Sequence, residues 1–250
     1  IKFLEALILK AQEYDFISVY SYNKKRSSYA ARNFGFSKTM GDIIAFTDFD
    51  CLLTKSYIKE LRDQTNEIDS LISGKVELFP FKNNYFEVFD KTTYLKQEEY
   101  FNKGYAATAN LVLNRKIFKN VGGFREITSG GDSDFCKRAI RKGYGIIFNK
   151  SLIVKHPLRN SYEDHIKKAK RLGIGHGQVF CLKKTGKFEY LLFFLKNIFG
   201  VFIPLHQFKI FFKILISGKI KLKNIFGLFI LCFAVGSLQR IEIIKQIIFK

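Results

Sequence analysis

The sequence predicts an α/β fold, a mixed sheet flanked by helices, with a C-terminal helical extension that associates with a membrane. Three observations lead to this prediction. Residues 1–150 alternate helix-like and strand-like segments. An apolar strand at 42–47 runs directly into an acidic triplet, and open α/β sheets bind ligands at such strand ends. From Ser161 the chain turns basic and apolar, so we expect a boundary between 1–160 and 161–250.

The first half of the α/β part alternates helices and strands. Apolar residues recur at helical spacing in three segments, 3–10, 27–40 and 55–66. Short apolar runs typical of strands occupy 16–20, 42–47 and 71–79. Gly41 is suited to end the second helix, and Thr54 to cap the third. The polar and aromatic segment 82–105 fits neither pattern, and we expect a mobile flap there.

The second half repeats this alternation. Strand-like runs follow at 110–113, 145–148 and 152–155. Gly122 and Gly123 are expected to close a short helix over 115–121. A glycine-rich turn precedes Asp132 and a helix that ends at Gly143.

The extension is predicted to be helical throughout. A basic helix over 162–172 is followed by apolar segments at 190–204 and 208–216. The uncharged run 224–239 is sixteen residues long, whereas a spanning helix needs about 20 apolar residues. An interfacial or re-entrant helix, a short membrane-spanning helix and an ordinary buried helix therefore all stay open.

The formal net charge of +20 lies mostly in this extension. After Asp164, sixteen Lys and Arg face two acids, Glu189 and Glu242, and supply +14 of it. Because these cations are interleaved with Phe, Ile and Leu, they favour an anionic membrane surface over nucleic acid. The four cysteines form no CxxC or Cys/His pattern, which indicates free thiols in a reducing compartment. We expect a protein at the cytoplasmic face of the cell membrane.

Candidate metal ligands stand at two predicted strand ends. Asp48 and Asp50 straddle one residue after the 42–47 strand, and residues i and i+2 of an extended stretch point the same way. Two carboxylates suit Mg²⁺ or Mn²⁺, which in turn bridge phosphate oxygens. By itself such a triplet is more often a solvated turn. His156 is a further candidate ligand at a strand end, although a lone His is usually structural.

Other polar groups suggest roles in binding or proton transfer. Arg32 and Asn33, one element before the acidic triplet, can offer charge and amide donors to a diphosphate. Asp132 and Asp134 follow two glycines at a helix start, where one Asp either caps the helix or acts as a general base.

Asn110 is a polar residue that enters a predicted strand. A basic cluster beyond His156 is either a binding group or a solvated helix face. Its members are Arg159, Lys167, Lys168 and Arg171.

The order of these features closely resembles family-2 glycosyltransferases of the GT-A fold. Residues 29–35 and 41–51, YAARNFG and GDIIAFTDFDC, are similar to the family's ARNxG…GDIIAFTDxDC block. Residues 122–138 resemble its GGF…GEDxDL..R block, and 154–159 its VxHxxR strand end. The resemblance covers roughly residues 25–175 in the correct order and spacing.

The resemblance implies an inverting, metal-dependent transferase of the hexosyltransferase type, with a GT-A-like catalytic domain over 1–160. It would move a sugar from a UDP-, GDP- or dTDP-linked donor to a cell-envelope polysaccharide or lipid-linked acceptor, with Mn²⁺ or Mg²⁺. Asp132 would be the base that activates the acceptor hydroxyl, and Asp50 would ligate the cation. Asp48 would contact ribose or metal, and His156 metal or phosphate. The residues that would hold donor or acceptor are Arg32, Asn33, Asn110, Asp134, Arg138 and Arg159.

Two departures qualify the resemblance. Gly131 stands where the family has Glu, which leaves the roles of Asp132 and Asp134 exchangeable. The family's first strand and its Asp-containing turn, which grip the nucleotide base, are not visible in residues 1–22. The chain begins at Ile1 inside a predicted helix, so we expect an N-terminally truncated domain.

Two other hypotheses stay open. A non-catalytic basic membrane- or nucleic-acid-binding module predicts salt-sensitive affinity for anionic lipid or DNA, without metal-dependent nucleotide binding. A degenerate transferase kept for complex formation would bind partners and stay inactive.

Overall fold

A mixed sheet forms the centre of the protein in a computed structural model that describes residues 13–24, 27–63, 69–183 and 186–249. Its strands are Ile43–Thr47 (β1), Leu52–Leu53 (β2), Ser70–Phe79 (β3), Asn110–Asn114 (β4) and Gly145–Pro157 (β5). The helices are Ser28–Lys38 (α1), Tyr57–Asp63 (α2), Tyr85–Thr93 (α3), Gln97–Phe101 (α4), Arg115–Val121 (α5), Gly131–Arg141 (α6), Tyr162–Cys181 (α7), Lys187–Phe202 (α8), Leu205–Ile216 (α9) and Ile225–Ile248 (α10). A 3₁₀ turn, Leu222–Asn224, precedes α10.

The strand order is β1-β4-β3-β5-β2. β3 and β5 run parallel, and the other neighbours are antiparallel. This confirms the predicted mixed sheet flanked by helices. Thr47 is in register with Asn110, and Leu52 with Lys155, so the acidic triplet lies between β1 and the end of β5.

Apolar clusters cover both faces of the sheet. On one face, Leu111, Phe118, Phe124 and Phe135 pack together beneath α1, α5 and α6. On the other face, the core consists of Tyr57, Ile72, Val112, Leu152 and Val154. Burial of each large side chain contributes about 1.5–3 kcal/mol, which fixes the strand ends relative to the helix starts.

The segment predicted to be a mobile flap is instead two packed helices, α3 and α4. Asn84 caps α3 by accepting a hydrogen bond from the Glu87 N–H, and the Glu87 carboxylate in turn accepts one from the Asn84 N–H. Phe89, on the inner face of α3, packs with Ala169 of α7 and Leu228 of α10. The aromatic residues that obscured the helical spacing of 82–105 in the sequence are therefore the ones that pack this segment against α7 and α10.

Four further predictions need correction. Residues 16–20 form no strand, because their apolar side chains are exposed (Phe16 by 84%) and lie outside the sheet. Residues 145–148 and 152–155 belong to one strand, β5, whose pairing with β3 shifts register at Gly74/Lys75. Helix α1 ends at Lys38, before Gly41, and the Thr54 hydroxyl bonds the Ile153 carbonyl rather than capping α2.

Some predicted ranges lie wholly or partly outside the described residues, namely the helix over 3–10 and positions 64–66 of the third helix. The strands at 42–47, 71–79 and 110–113 and the helix at 115–121 are confirmed. The division at residue 160 stays a prediction.

The last helix is longer than the uncharged run that predicted it. Arg240, Glu242 and Lys245 end the apolar run but favour helical backbone, so α10 continues to Ile248. The segment Leu222–Ile248 is 27 residues long, with a stretch of mean hydropathy 1.7, and by length and composition is able to cross a membrane. Core helices of globular proteins share these properties. Helices α8 and α9 meet at a bend of 45° and pass the same test only as a pair.

Candidate active site

One cleft of about 1040 Å³ collects most of the predicted site residues. Seven of them line it: Arg32, Asp48, Asp50, Asp132, Asp134, His156 and Arg159. The other three, Asn33, Asn110 and Arg138, are bonded within the fold beside it. The sheet edge, the start of α6 and the end of β5 therefore meet at a single place.

Asp50 and His156 face each other because β2 pairs with the end of β5. Asp50 Oδ1 lies 3.5 Å from His156 Nε2. His156 Nδ1 lies 2.6 Å from the Pro157 carbonyl oxygen, which only accepts hydrogen bonds. We infer that in the neutral ring the hydrogen sits on Nδ1 and leaves the Nε2 lone pair directed at Asp50. Two acceptors that face each other in this way suit a cation between them.

A third donor atom near this pair belongs to Cys51. The candidate ligand atoms of Asp50, Cys51 and His156 lie within 4.8 Å of one another. Burial raises the pKa of the Cys51 thiol, and sulfur is in any case a softer ligand than Mg²⁺ or Mn²⁺ prefers. The carboxylate and imidazole fit a divalent cation, and which metal they take stays a prediction.

Asp48, predicted to contact ribose or metal, forms an ion pair with Arg32, and its predicted role stays a prediction. Arg32 Nη2 donates to Asp48 Oδ1 at 2.5 Å, and both side chains line the cleft. The Arg32 guanidinium also lies 5.7 Å from the centre of the Tyr29 ring. This ion pair fixes a carboxylate and a cation of α1 at the cleft wall next to Asp50.

Asp132 occupies the first turn of α6 and carries one hydrogen bond from a side chain. The Tyr29 hydroxyl donates to Asp132 Oδ1 at 3.2 Å, and the Ser133 N–H donates to the same oxygen at 2.9 Å. Burial raises the pKa of Asp132, and these donors together with Arg32 oppose part of that rise. A Cβ at Gly131 would come within 2.8 Å of the Tyr29 ring, so a larger residue at this position would require the ring to move.

Asp134 is held between two arginines. Arg125 Nη1 donates to Asp134 Oδ1 at 3.0 Å, and Arg138 Nε donates to Oδ2 at 2.9 Å. Arg138 also donates to the carbonyls of Val121 and Gly123, each at 2.6 Å. Arg138 thus holds the glycine turn after α5 in place. Of Asp132 and Asp134, Asp134 is the one whose charge is more fully neutralised.

The two predicted asparagines are bonded to protein atoms. The Asn33 amide exchanges two hydrogen bonds with the Phe124 backbone, at 2.8 and 2.9 Å. Asn110 is fully buried, donates to the carbonyls of Lys75 and Leu152, and accepts from the Tyr57 hydroxyl. Their binding roles stay predictions, and the structure places both side chains away from the cleft.

Sequence reasoning missed the residues behind Arg159. Asp90 of α3 is 1% exposed and accepts from the Arg159 N–H at 3.0 Å and from Arg159 Nη1 at 3.3 Å. His165 Nδ1 lies 4.0 Å from the same carboxylate. The Asn84-x-x-Glu87 capping box was the sequence signal for α3, but nothing local marked Asp90 as the partner of an arginine 69 residues away.

Comparisons with known proteins find a matching family, a similar sequence and a similar fold. Residues 4–122 match the model of Glycosyl transferase family 2. The chain is 31% identical over 175 residues to glycosyltransferase AglE of Haloferax volcanii, covering 68% of this chain and 57% of that protein. The mannosyltransferase PcManGT from Pyrobaculum calidifontis, solved in complex with GDP-Man and Mn²⁺, has a TM-score of 0.51 at 16% identity. That likeness covers 73% of this chain and 52% of the mannosyltransferase, and it concerns the GT-A-type fold alone. The chain spans less than two thirds of either protein's length.

Proposed function

The chain belongs to glycosyltransferase family 2, and from that membership we propose that it transfers a sugar from a nucleotide-sugar donor to a hydroxyl group of a cell-envelope polysaccharide or lipid-linked acceptor. The observation that carries the proposal is the shared cleft of Asp50, His156 and Asp132. Such a transfer needs a group that binds a cation, here Asp50 and His156, and a base, here Asp132.

The donor end of the cleft holds charge of both signs. Asp50 and His156 would hold a divalent cation, which when bound neutralises the charge that develops on the departing diphosphate. Arg32 places its guanidinium next to Asp48, where it would contact the phosphates while Asp48 accepts from the ribose. Arg159, fixed by Asp90, borders the same space.

Asp132 would remove the proton of the acceptor hydroxyl as its oxygen attacks the anomeric carbon from the side opposite the diphosphate. The configuration at that carbon is then inverted. Its raised pKa brings the carboxylate closer to working pH, where a general base is most effective. Asp134, neutralised by Arg125 and Arg138, supports this choice between the two acids.

A transfer assay on the full chain with Mn²⁺ and a panel of nucleotide sugars tests the proposal. We expect Asp132→Asn to lower turnover by about 10²–10⁴-fold, the usual contribution of a general base. Asp50→Ala should lower it at least about 100-fold, because a bound cation contributes several kcal/mol. Asp63→Asn, an exposed change of the same chemistry outside the cleft, is the matched control.

The result that contradicts the proposal is wild-type turnover in both cleft variants. Proton NMR of the product reports the anomeric configuration, and retention of the donor configuration would contradict the role of Asp132.

We also propose that the C-terminal helices hold the protein at an anionic membrane surface. Apolar side chains at the ends of these helices are widely exposed, among them Phe202, Ile216, Leu222 and Phe226. Exposed lysines, including Lys219, Lys221 and Lys223, lie between them. This combination suits an interface in which apolar groups enter the acyl region and cations contact headgroups.

A further inference from the structure

A second pocket, of about 550 Å³, adjoins the cleft, and Asp50 and His156 line both cavities. Three cationic side chains, Arg159, Lys168 and Arg171, line both cavities, and we call them the basic pocket. Lys168 and Arg171 are three residues apart on α7 and therefore share a face of the helix. The outer rim contains Phe81, whose side chain is largely exposed.

The charges of this pocket are only partly compensated. Asp90 pairs with Arg159 and neutralises that one cation. In the part of the chain that the structure describes, no acid forms an ion pair with Lys168 or Arg171. Lys168 instead lies 4.5 Å from the centre of the Tyr94 ring.

Lys168 is therefore a cation placed where its charge is disfavoured. Its pKa is lowered to about 7, first by burial and then by the positive charges of Arg159 and Arg171, while Asp90 and Asp48 oppose the shift. Burial and the two neighbouring guanidinium groups disfavour the charged form of this amine. An anion that enters the pocket would therefore stabilise that form strongly.

We propose that the basic pocket is a phosphate-binding subsite, next to Asp50 and His156 but formed by different side chains, that holds a phosphate group of a substrate. Phosphate oxygens accept from guanidinium and ammonium donors, and two uncompensated cations match the charge of one phosphate group. We assign the phosphate to the acceptor, because a divalent cation at Asp50 and His156 would already neutralise part of the charge of a donor diphosphate. The donor diphosphate is the other possible source, and this assignment of the source rests on the proposed function.

Calorimetric binding of pyrophosphate to the full chain without divalent cations tests the subsite. Lys168→Gln and Arg171→Gln should each weaken binding at least about tenfold, the effect of losing one charged hydrogen bond. Lys170→Gln removes the same charge from an exposed position of α7 outside both cavities and should bind as wild type does. Wild-type affinity in both pocket variants, with folding verified by thermal unfolding, would overturn the proposal.

Proton uptake distinguishes a direct contact from a structural role. At pH 7 the wild type should take up a fraction of a proton when pyrophosphate binds, because the anion favours the ammonium form of Lys168. Lys168→Arg should keep the affinity and lose the uptake, since a guanidinium is charged throughout. Equal proton uptake in the wild type and in Lys168→Arg would contradict a direct contact between Lys168 and the phosphate.

Kinetics identify the source of the phosphate. A rise in donor KM for Lys168→Gln, measured as sugar-nucleotide hydrolysis without acceptor, assigns the pocket to the donor diphosphate. A rise confined to the KM of a phosphate-bearing acceptor assigns it to the acceptor, and no rise in either overturns a role in catalysis. If the wild type transfers no sugar at all, the proposed function fails, while pyrophosphate binding still tests the subsite.

Discussion

At the scale of single residues, the basicity of Asp132 is set by its neighbours. Burial raises its pKa, and the Tyr29 hydroxyl, the Ser133 N–H and the Arg32 charge stabilise the ionised form. Burial also raises the pKa of Tyr29 well above its usual range, so its hydroxyl stays a donor at neutral pH. Removal of that donor is a direct test of the carboxylate's role.

A base accepts a proton only when it is ionised, so the transfer rate should rise with pH through the raised pKa of Asp132. Tyr29→Phe removes a hydrogen-bond donor to the ionised form of Asp132 and should raise its pKa further. The rising limb of the pH–rate profile should therefore move to higher pH. On the limb the rate should fall about two- to tenfold, the effect of a hydrogen bond of about 0.5–1.5 kcal/mol. The measurement is kcat against pH, and a limb that stays in place or moves to lower pH would contradict the assignment.

At the scale of elements, Asn110 ties three strands together where β3 and β5 shift register. A Cβ at Gly74 would clash with the Asn110 amide group, so the asparagine fills the space that this glycine leaves. Its amide donates to the carbonyls of Lys75 and Leu152, which lie next to this register shift. The strand ends that carry the site therefore depend on one buried side chain.

Asn110→Ala should destabilise the protein by about 2–4 kcal/mol, because buried carbonyls and the Tyr57 hydroxyl lose their partner. Urea unfolding measures this change, and Asn102→Ala at an exposed position is the control. If Asn110 instead contacts the acceptor directly, acceptor KM rises while the free energy of unfolding is unchanged.

Elements with local signals were predictable, and those fixed by tertiary packing were not. Strand β1 and its acidic triplet follow from apolar residues and motif spacing, and Gly122 ends α5 with φ of 85°, a conformation that favours glycine. Helix α3 was not predicted, because its mixture of polar and aromatic residues shows no clear helical spacing. The Asp50–Cys51–His156 group depends on β2, a two-residue strand defined only by its pairing with β5. No local pattern distinguishes such a strand from a turn.

At the scale of the whole molecule, the C-terminal helices combine exposed apolar ends with a run of lysines. The triple variant Lys219→Gln, Lys221→Gln, Lys223→Gln should lower partitioning onto phosphatidylserine vesicles by roughly 100-fold. Each lysine near an anionic surface contributes about 1 kcal/mol. Vesicle co-sedimentation at low salt measures the loss.

The control for charge alone is the triple change of Lys59, Lys116 and Lys119 to Gln, at exposed positions of α2 and α5. An equal loss of partitioning in the control would show that net charge, and not the position of the lysines, causes the effect. Partitioning of the 219–223 variant equal to that of wild type would contradict membrane attachment through this segment.

The most direct test of the account is calorimetry of the full chain with UDP, GDP and dTDP, with and without Mn²⁺. We expect one of these nucleotides to bind more tightly when Mn²⁺ is present, and Asp50→Ala to abolish this metal-dependent gain while Asp63→Asn retains it. Binding that is equal with and without Mn²⁺, or unchanged in Asp50→Ala, would show that Asp50 and His156 do not hold a cation on a diphosphate.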